Sequence, residues 1–123
     1  MNNINQLVVS YIAAWNERNP EQRRILVTKT WTEQGNYVDA HRQAVGHDAI
    51  DKMIAAAQES HPGYTLRLVS GIEAHGTYAR FSWEGGGTRE APLYLAGTDF
   101  VSIARDGRFG GVIGFTDAAP AAA

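Results

Sequence analysis

Leu93-Tyr94-Leu95-Ala96-Gly97-Thr98-Asp99-Phe100-Val101-Ser102-Ile103-Ala104 reads as one long strand, and it is followed at once by Asp106-Gly107 and a second apolar run over 109–116. Asp-Gly between two such runs is a hairpin signal, because the turn needs residues that tolerate positive φ. Side chains alternate along a strand, so Leu95, Gly97, Asp99, Val101 and Ile103 share one face. An acid in the middle of an apolar face is costly unless it is hydrogen-bonded or neutral. Asp99 is therefore either a carboxyl whose pKa is raised by burial, able to donate a proton near neutral pH, or a structural Asp held by backbone N–H groups or by Arg80.

Upstream of this hairpin, residues 64–70 and 75–84 are also rich in Val, Ile, Tyr, Phe, Trp and Thr, with Gly71 and Gly85-Gly86-Gly87 as breaks. Further upstream the period changes. Ile4, Leu7, Val8, Tyr11, Ile12 and Trp15 form one stripe of an amphipathic helix over about 3–18. Asn19-Pro20-Glu21-Gln22 is a helix start, with Asn19 as the cap, and predicts a second helix to about Trp31 that buries Ile25, Leu26 and Trp31. Gly35 closes that region. Residues 36–39 read as a short strand with Tyr37 and Asp39 on one face, and 40–46 as a polar connection. A third helix over about 48–59 starts at Asp48, presents Ile50, Met53, Ile54 and Ala57, and stops at His61-Pro62-Gly63. Helices that precede a run of strands predict an α+β domain with a mostly antiparallel sheet. Gly71, Gly97, Gly110, Gly111 and Gly114 would let that sheet curve, so that helices close one side of it around an apolar pocket. Residues 1–117 form the domain, and the Ala/Pro tail 118–123 is expected to be disordered.

Composition narrows the function. The chain has 123 residues, 44% hydrophobic and 20% charged, with net charge −2. Its eleven Lys and Arg form no run, which speaks against a nucleic-acid partner. No stretch approaches the ~20 apolar residues that span a bilayer, and the N-terminus lacks a signal-peptide pattern, so a cytoplasmic protein is expected. The absence of cysteine removes thiolate chemistry and Cys-type metal sites. The four histidines (His41, His47, His61 and His75) lack helical ligand spacing, so no metal and no cofactor are expected. There is no Gly-x-Ser-x-Gly elbow, and the glycines match no phosphate-binding fingerprint.

The remaining candidates are polar groups on the pocket side. Asp39 can serve as a general base, or it is simply exposed or paired with Arg42. Tyr11 and Trp15 are i, i+4 neighbours, either core aromatics or a phenol and an indole facing a ligand. His75 can reach the pocket rim, and Arg80 can pair with Glu84. Trp31, Tyr37, Ile54, Phe81, Trp83 and Phe115 are the expected apolar walls.

Taken in order, Tyr11-x-x-Ala14-Trp15-Asn16, Tyr37-x-Asp39, Gly46-x-x-Ala49-Ile50, Pro62-Gly63, Arg80-Phe81-x-Trp83, Gly97-x-Asp99-Phe100, Asp106-Gly107-Arg108 and Gly114-Phe115-x-Asp117 resemble a SnoaL-like member of the nuclear transport factor 2-like superfamily. The resemblance implies an α+β cone with a deep pocket, assembled as a homodimer through its sheet. Within the superfamily the chain is similar to the ketosteroid isomerases. That likeness implies a cofactor-independent enzyme in which Asp39 shuttles a proton on an apolar ketone. Tyr11 and a protonated Asp99 would then hold the enolate oxygen. A polyketide cyclase-like aldol reaction uses the same intermediate, and a non-catalytic domain that binds an apolar ligand or only dimerises is the other class.

Overall fold

A computed structural model describes residues 4–89 and 94–117, with the side chain of Tyr94 outside that description. The tail expected to be disordered lies outside the described residues. The elements are α1 (Ile4–Asn16), α2 (Pro20–Thr30), β1 (Trp31–Val38), β2 (Gln43–Val45), α3 (His47–Ser60), β3 (Thr65–Leu68), β4 (Glu73–His75), β5 (Tyr78–Gly86), β6 (Tyr94–Ile103) and β7 (Phe109–Thr116). The strands form one sheet in the order β2-β1-β7-β6-β5-β3, with β4 also paired to β5. Every pairing is antiparallel except β1 with β7. Among the described residues no helix is long and apolar enough to cross a membrane.

The three helices pack on one face of the sheet, α1 against β3, and α2 and α3 against β1. The core between the layers is built on Val8, Tyr11, Val27, Trp31, Ile50, Ile54, Phe81, Phe109 and Val112, each almost wholly buried. Tyr11 lies at its centre, with its ring 5.4 Å from Trp31, 5.5 Å from Phe81 and 5.7 Å from Phe109. The other face of the sheet carries the alternate residues, so Tyr78, Phe100, Ile113 and Phe115 are exposed there.

Helix α2 starts as expected, with Asn19 Oδ1 accepting from the Gln22 N–H at 3.0 Å and Pro20 in the first turn. It ends one residue early, because Trp31 is extended and opens β1. Gly35 lies inside β1 and terminates nothing. Ile25 is exposed; the buried face of α2 carries Arg23, Val27 and Thr30. The turn of the helix therefore points a charged residue inward. Arg23 is accommodated because its Nε donates to Asp51 at 2.8 Å and its guanidinium also reaches Gln58 Oε1 at 3.1 Å. Helix α3 is capped by Gly46 without a side-chain bond, and Asp48 in its first turn pairs with Arg24 at 2.6 Å.

The short strands β2 and β4 were not expected. Each has three residues, too few for a pattern, and each exists only through its partner. Strand β4 also changes two expectations, one of them a pairing. Glu73 on it takes Arg80 at 2.7 Å and His75 at 3.0 Å, so Arg80 does not pair with Glu84, and His75 is on the exposed face, away from the pocket. Glu84 instead meets Arg67 at 2.6 Å across β3 and β5. The Asp106-Gly107 turn forms as expected, with Gly107 at φ 89° and its N–H donating to the Ala104 carbonyl at 3.0 Å.

Candidate active site

Between the helices and the inner face of the sheet lies a cavity of about 90 Å³, open at one side. Tyr11 and Trp15 come to it from α1, Tyr37 and Asp39 from β1 and its end, Trp83 from β5 and Asp99 from β6. Asn16, at the end of α1, braces the wall. Its side-chain amide donates to the Leu66 carbonyl at 2.8 Å and accepts from the Leu66 N–H at 2.7 Å, so it stands in for a neighbouring strand.

Asp99 is only 3% exposed. Among the described residues, neither a backbone N–H nor Arg80 holds it. Tyr11 Oη donates to its Oδ2 at 2.6 Å and Trp83 Nε1 donates to its Oδ1 at 3.0 Å. Burial raises its pKa to about 6, against the two hydrogen bonds, and the nearby Asp39 charge adds to the rise. The Trp83 indole reaches the carboxylate by crossing Gly97, its partner in the β5–β6 register. A Cβ at Gly97 would lie 2.5 Å from the Trp83 ring, so only glycine leaves that path open.

Asp39 sits in a different environment. Its Oδ1 accepts from the His41 and Arg42 N–H groups, each at 2.8 Å. Its Oδ2 accepts from Tyr37 Oη at 2.7 Å and from the Arg42 guanidinium at 3.4 Å. Burial pushes its pKa up, but these hydrogen bonds and the Arg42 charge together hold it below the ordinary Asp value. The Tyr11 and Tyr37 phenols are both driven well above their usual range, first by burial and then by the Asp99 charge. The two carboxyl groups approach one another over Gly114. A Cβ there would lie 2.9 Å from Asp99 Oδ1, 3.0 Å from Tyr37 Oη and 3.6 Å from Asp39 Cβ.

Of the residues singled out from the sequence, Tyr11, Trp15, Tyr37, Asp39, Trp83 and Asp99 line this cavity together. Trp31, Ile54 and Phe81 do not reach its wall. They are fully buried in the core, and Trp31 and Phe81 pack behind the Tyr11 ring. Phe115 is on the opposite face of the sheet, where it is 57% exposed and packs edge-on against Phe100. The inward residues of β7 are Val112 and Gly114, so Phe115, one residue on, must point out. Sequence reasoning missed Arg42, Gln58, His61, Tyr64, Leu66 and Leu95 as lining residues. For two of them a signal existed: Gln58 and His61 continue the helical face of Ile54 and Ala57 at the end of α3. Among the described residues no group of three or more His, Asp or Glu is placed to hold a metal ion.

A curved mixed sheet, three helices and a polar-floored cavity between them define a nuclear transport factor 2-like α+β domain. A candidate isomerase of the SnoaL-like family from Agrobacterium tumefaciens str. C58 is 39% identical, over 92% of this chain and 96% of that one, with a TM-score of 0.85. The chain belongs to the SnoaL-like family. A candidate SnoaL-like polyketide cyclase from Jannaschia sp. CCS1 (15% identity, 92% of this chain and 86% of that one, TM-score 0.71) shares the fold. So does a protein of ketosteroid isomerase-like fold from Catenulispora acidiphila DSM 44928 in complex with trimethylamine (16% identity, 89% of this chain and 83% of that one, TM-score 0.74). No family model matches the chain, and no curated protein does.

Proposed function

We propose that this protein is a cofactor-independent enzyme that moves a proton on a small, largely apolar ketone through an enolate. One observation carries the reading. Two carboxyl groups share one cavity, and their surroundings drive them apart, Asp39 down and Asp99 up. Opposite displacement of neighbouring acids assigns one as base and the other as proton-bearing donor.

Asp39, ionised, takes the α-proton and becomes a neutral acid. The electron pair of the broken C–H bond moves onto the carbonyl oxygen. Asp99, in the protonated form it takes below about pH 6, and Tyr11, with its O–H turned from Asp99 to the ligand, donate to that oxygen and stabilise its charge. Asp39 then returns the proton to another carbon of the conjugated frame. In a cyclase-like outcome the enolate carbon attacks a second carbonyl of the same molecule instead. A carboxylate held below its ordinary pKa is a weak base, so the fitting α-carbon is one acidified by a second carbonyl or an adjacent double bond. A cavity of about 90 Å³, open at one side, suits a ligand that enters oxygen first and extends out of the mouth.

The test is α-proton exchange in D₂O, followed by NMR, over a panel of enolisable ketones that includes 1,3-dicarbonyls and a β,γ-unsaturated steroid ketone. Exchange is expected with wild type and is lost in Asp39→Asn. Retention in the variant would remove Asp39 as the base. A non-catalytic binding domain is the second reading. It is favoured by the hydrogen bonds to Asp39, whose oxygens each already accept two donors. It is supported if a ketone binds but no exchange exceeds buffer.

We also propose a homodimer through the outer face of the sheet. Arg80, Phe100 and Ile113 lie side by side there in register across three strands, next to Tyr78. They line a broad groove of about 690 Å³ in which apolar surface prevails.

A further inference from the structure

The chain contains three tryptophans. Two have their indole N–H satisfied inside the protein. Trp31 Nε1 donates to the Asn36 carbonyl at 3.2 Å, and Trp83 Nε1 donates to Asp99 Oδ1 at 3.0 Å. Trp15 Nε1 is buried and has no acceptor among the described residues. An unmade buried donor costs about 1–3 kcal/mol, so a folded protein that keeps one calls for an explanation.

Three facts bear on that explanation. Trp15 lines the cavity that holds Tyr11, Asp39 and Asp99. Its position is fixed: the ring is 5.4 Å from Tyr37 and 6.5 Å from Tyr11, and its backbone carbonyl accepts from Gln58 Nε2 at 3.0 Å. Gln58 is itself held by the buried Arg23, so the backbone at the end of α1 is braced. Finally, the N–H is near enough to the Tyr11 oxygen to offset part of the rise in that phenol's pKa, though it makes no hydrogen bond of normal geometry to it. The free donor therefore sits beside the oxygen whose own proton goes to Asp99.

We infer that the Trp15 indole N–H is a donor to the ligand oxygen that Tyr11 and Asp99 also address, so that the site takes a ligand presenting one enol-type oxygen to three donors. The inference rests on the enolate reading for the identity of that oxygen, and on the unpartnered N–H for the donor. A ligand with a C–H or methyl group at this point would leave the indole unpaired. Such a site discriminates strongly against the oxygen-free analogue of its ligand.

The experiment uses the full chain and two probes of matched shape, 4-methylphenol and 1,4-dimethylbenzene. Binding is measured by titration followed through the three ¹⁵N–¹H indole resonances, assigned by triple-resonance NMR. In wild type the Trp15 indole proton is expected to move downfield with 4-methylphenol and to stay in place with 1,4-dimethylbenzene. Trp15→Phe, which keeps an aromatic ring and removes the N–H, is expected to weaken 4-methylphenol about tenfold, the size of one hydrogen bond, and to leave 1,4-dimethylbenzene unchanged. Equal loss for both probes would make Trp15 a packing residue and overturn the inference. So would a Trp15 resonance that stays still while 4-methylphenol is bound, or folded wild type that fails to bind 4-methylphenol. The wild-type resonance decides the matter even if the variant does not fold. A chain that engages 4-methylphenol through Trp15 but exchanges no ketone proton would sink the enolate reading and leave the donor standing; exchange with an idle Trp15 would do the reverse.

Discussion

Replacing Asp99 by Asn removes a titratable group from the inner face of β6 while keeping its size. Burial raises the pKa of this carboxyl to about 6 from an ordinary Asp value of 3.8. Each pKa unit is about 1.36 kcal/mol, so the difference amounts to about 3 kcal/mol. The sign follows from proton counting. Between pH 4 and 6 the native state keeps a proton that the unfolded chain has released, so stability falls as pH rises through this window. Below it both states are protonated and above it both are ionised, so the curve is flat on either side. Asn has no such titration. The stability of Asp99→Asn minus that of wild type should therefore grow by most of that, about 2 kcal/mol, from pH 4 to pH 7. Any fixed offset, from an amide facing Tyr11 and Trp83 in place of a carboxylate, is the same at every pH and drops out. Asp39 shifts in the other direction, so its own window lies below the ordinary Asp value and does not overlap. Urea unfolding at fixed protein concentration, at half-unit steps over this range, measures the difference. A gap that stays constant would mean that Asp99 is ionised without penalty in the fold, and the case for a proton-bearing donor there would fall.

Two further outcomes follow from the geometry. Gly114→Ala places a methyl group 2.9 Å from Asp99 Oδ1 and 3.0 Å from Tyr37 Oη. It should destabilise the fold by about 1–3 kcal/mol through overpacking and slow ketone exchange by about 100-fold through displacement of the carboxyl groups. Wild-type exchange in this variant would show that the approach of the two acids is irrelevant to turnover. Phe100→Asp puts a charge in the middle of the outer sheet face and should convert a dimer to a monomer in analytical ultracentrifugation. A wild-type chain that is already monomeric at micromolar concentration would end the homodimer proposal.

The parts of the fold legible in the sequence are those with a long local period. The stripe from Ile4 to Trp15 marks α1, Asn19-Pro20 marks the start of α2, and Asp106-Gly107 marks the β6–β7 hairpin. Strand β1 was half hidden. Its first residues, Trp31 to Gln34, continue a helical composition, and the parallel pairing that draws β1 into the sheet, Trp31 with Phe109 and then Asn36 with Gly111, reaches far along the chain. No local window contains that information. The exposed Ile25 and the buried Arg23 show the same limit from the side of α2. Hydrophobicity would have reversed them, but Asp51 and Gln58 on α3 make the charged residue the better-satisfied one inside. In the site, the facing of Asp99 was readable by alternation alone. Its partner Trp83 was not, because that contact depends on the register that sets Trp83 opposite Gly97.

Gly97 and Gly114 have a shared role that neither shows alone. They lie on neighbouring strands, Gly97 two residues before Asp99 on β6 and Gly114 as the partner of Asp99 on β7, and each leaves out a side chain where a polar group needs the room. Over Gly97 the Trp83 indole reaches Oδ1; over Gly114 the same oxygen and the Tyr37 hydroxyl come close to Asp39. An apolar core would fill both places with methyl groups and gain about 0.8 kcal/mol for each buried CH₂. This chain instead keeps polar atoms there, including a carboxyl that resists ionisation and, on α1 close by, an indole N–H without an acceptor among the described residues. Both features lower the stability of the domain, and both suit the proposed arrival of an oxygen that accepts hydrogen bonds. A domain selected for packing or dimerisation alone has no reason to retain the two together. A site that must hold an oxygen as it becomes negative does, because donors fixed in place before the charge appears need no reorganisation when it forms.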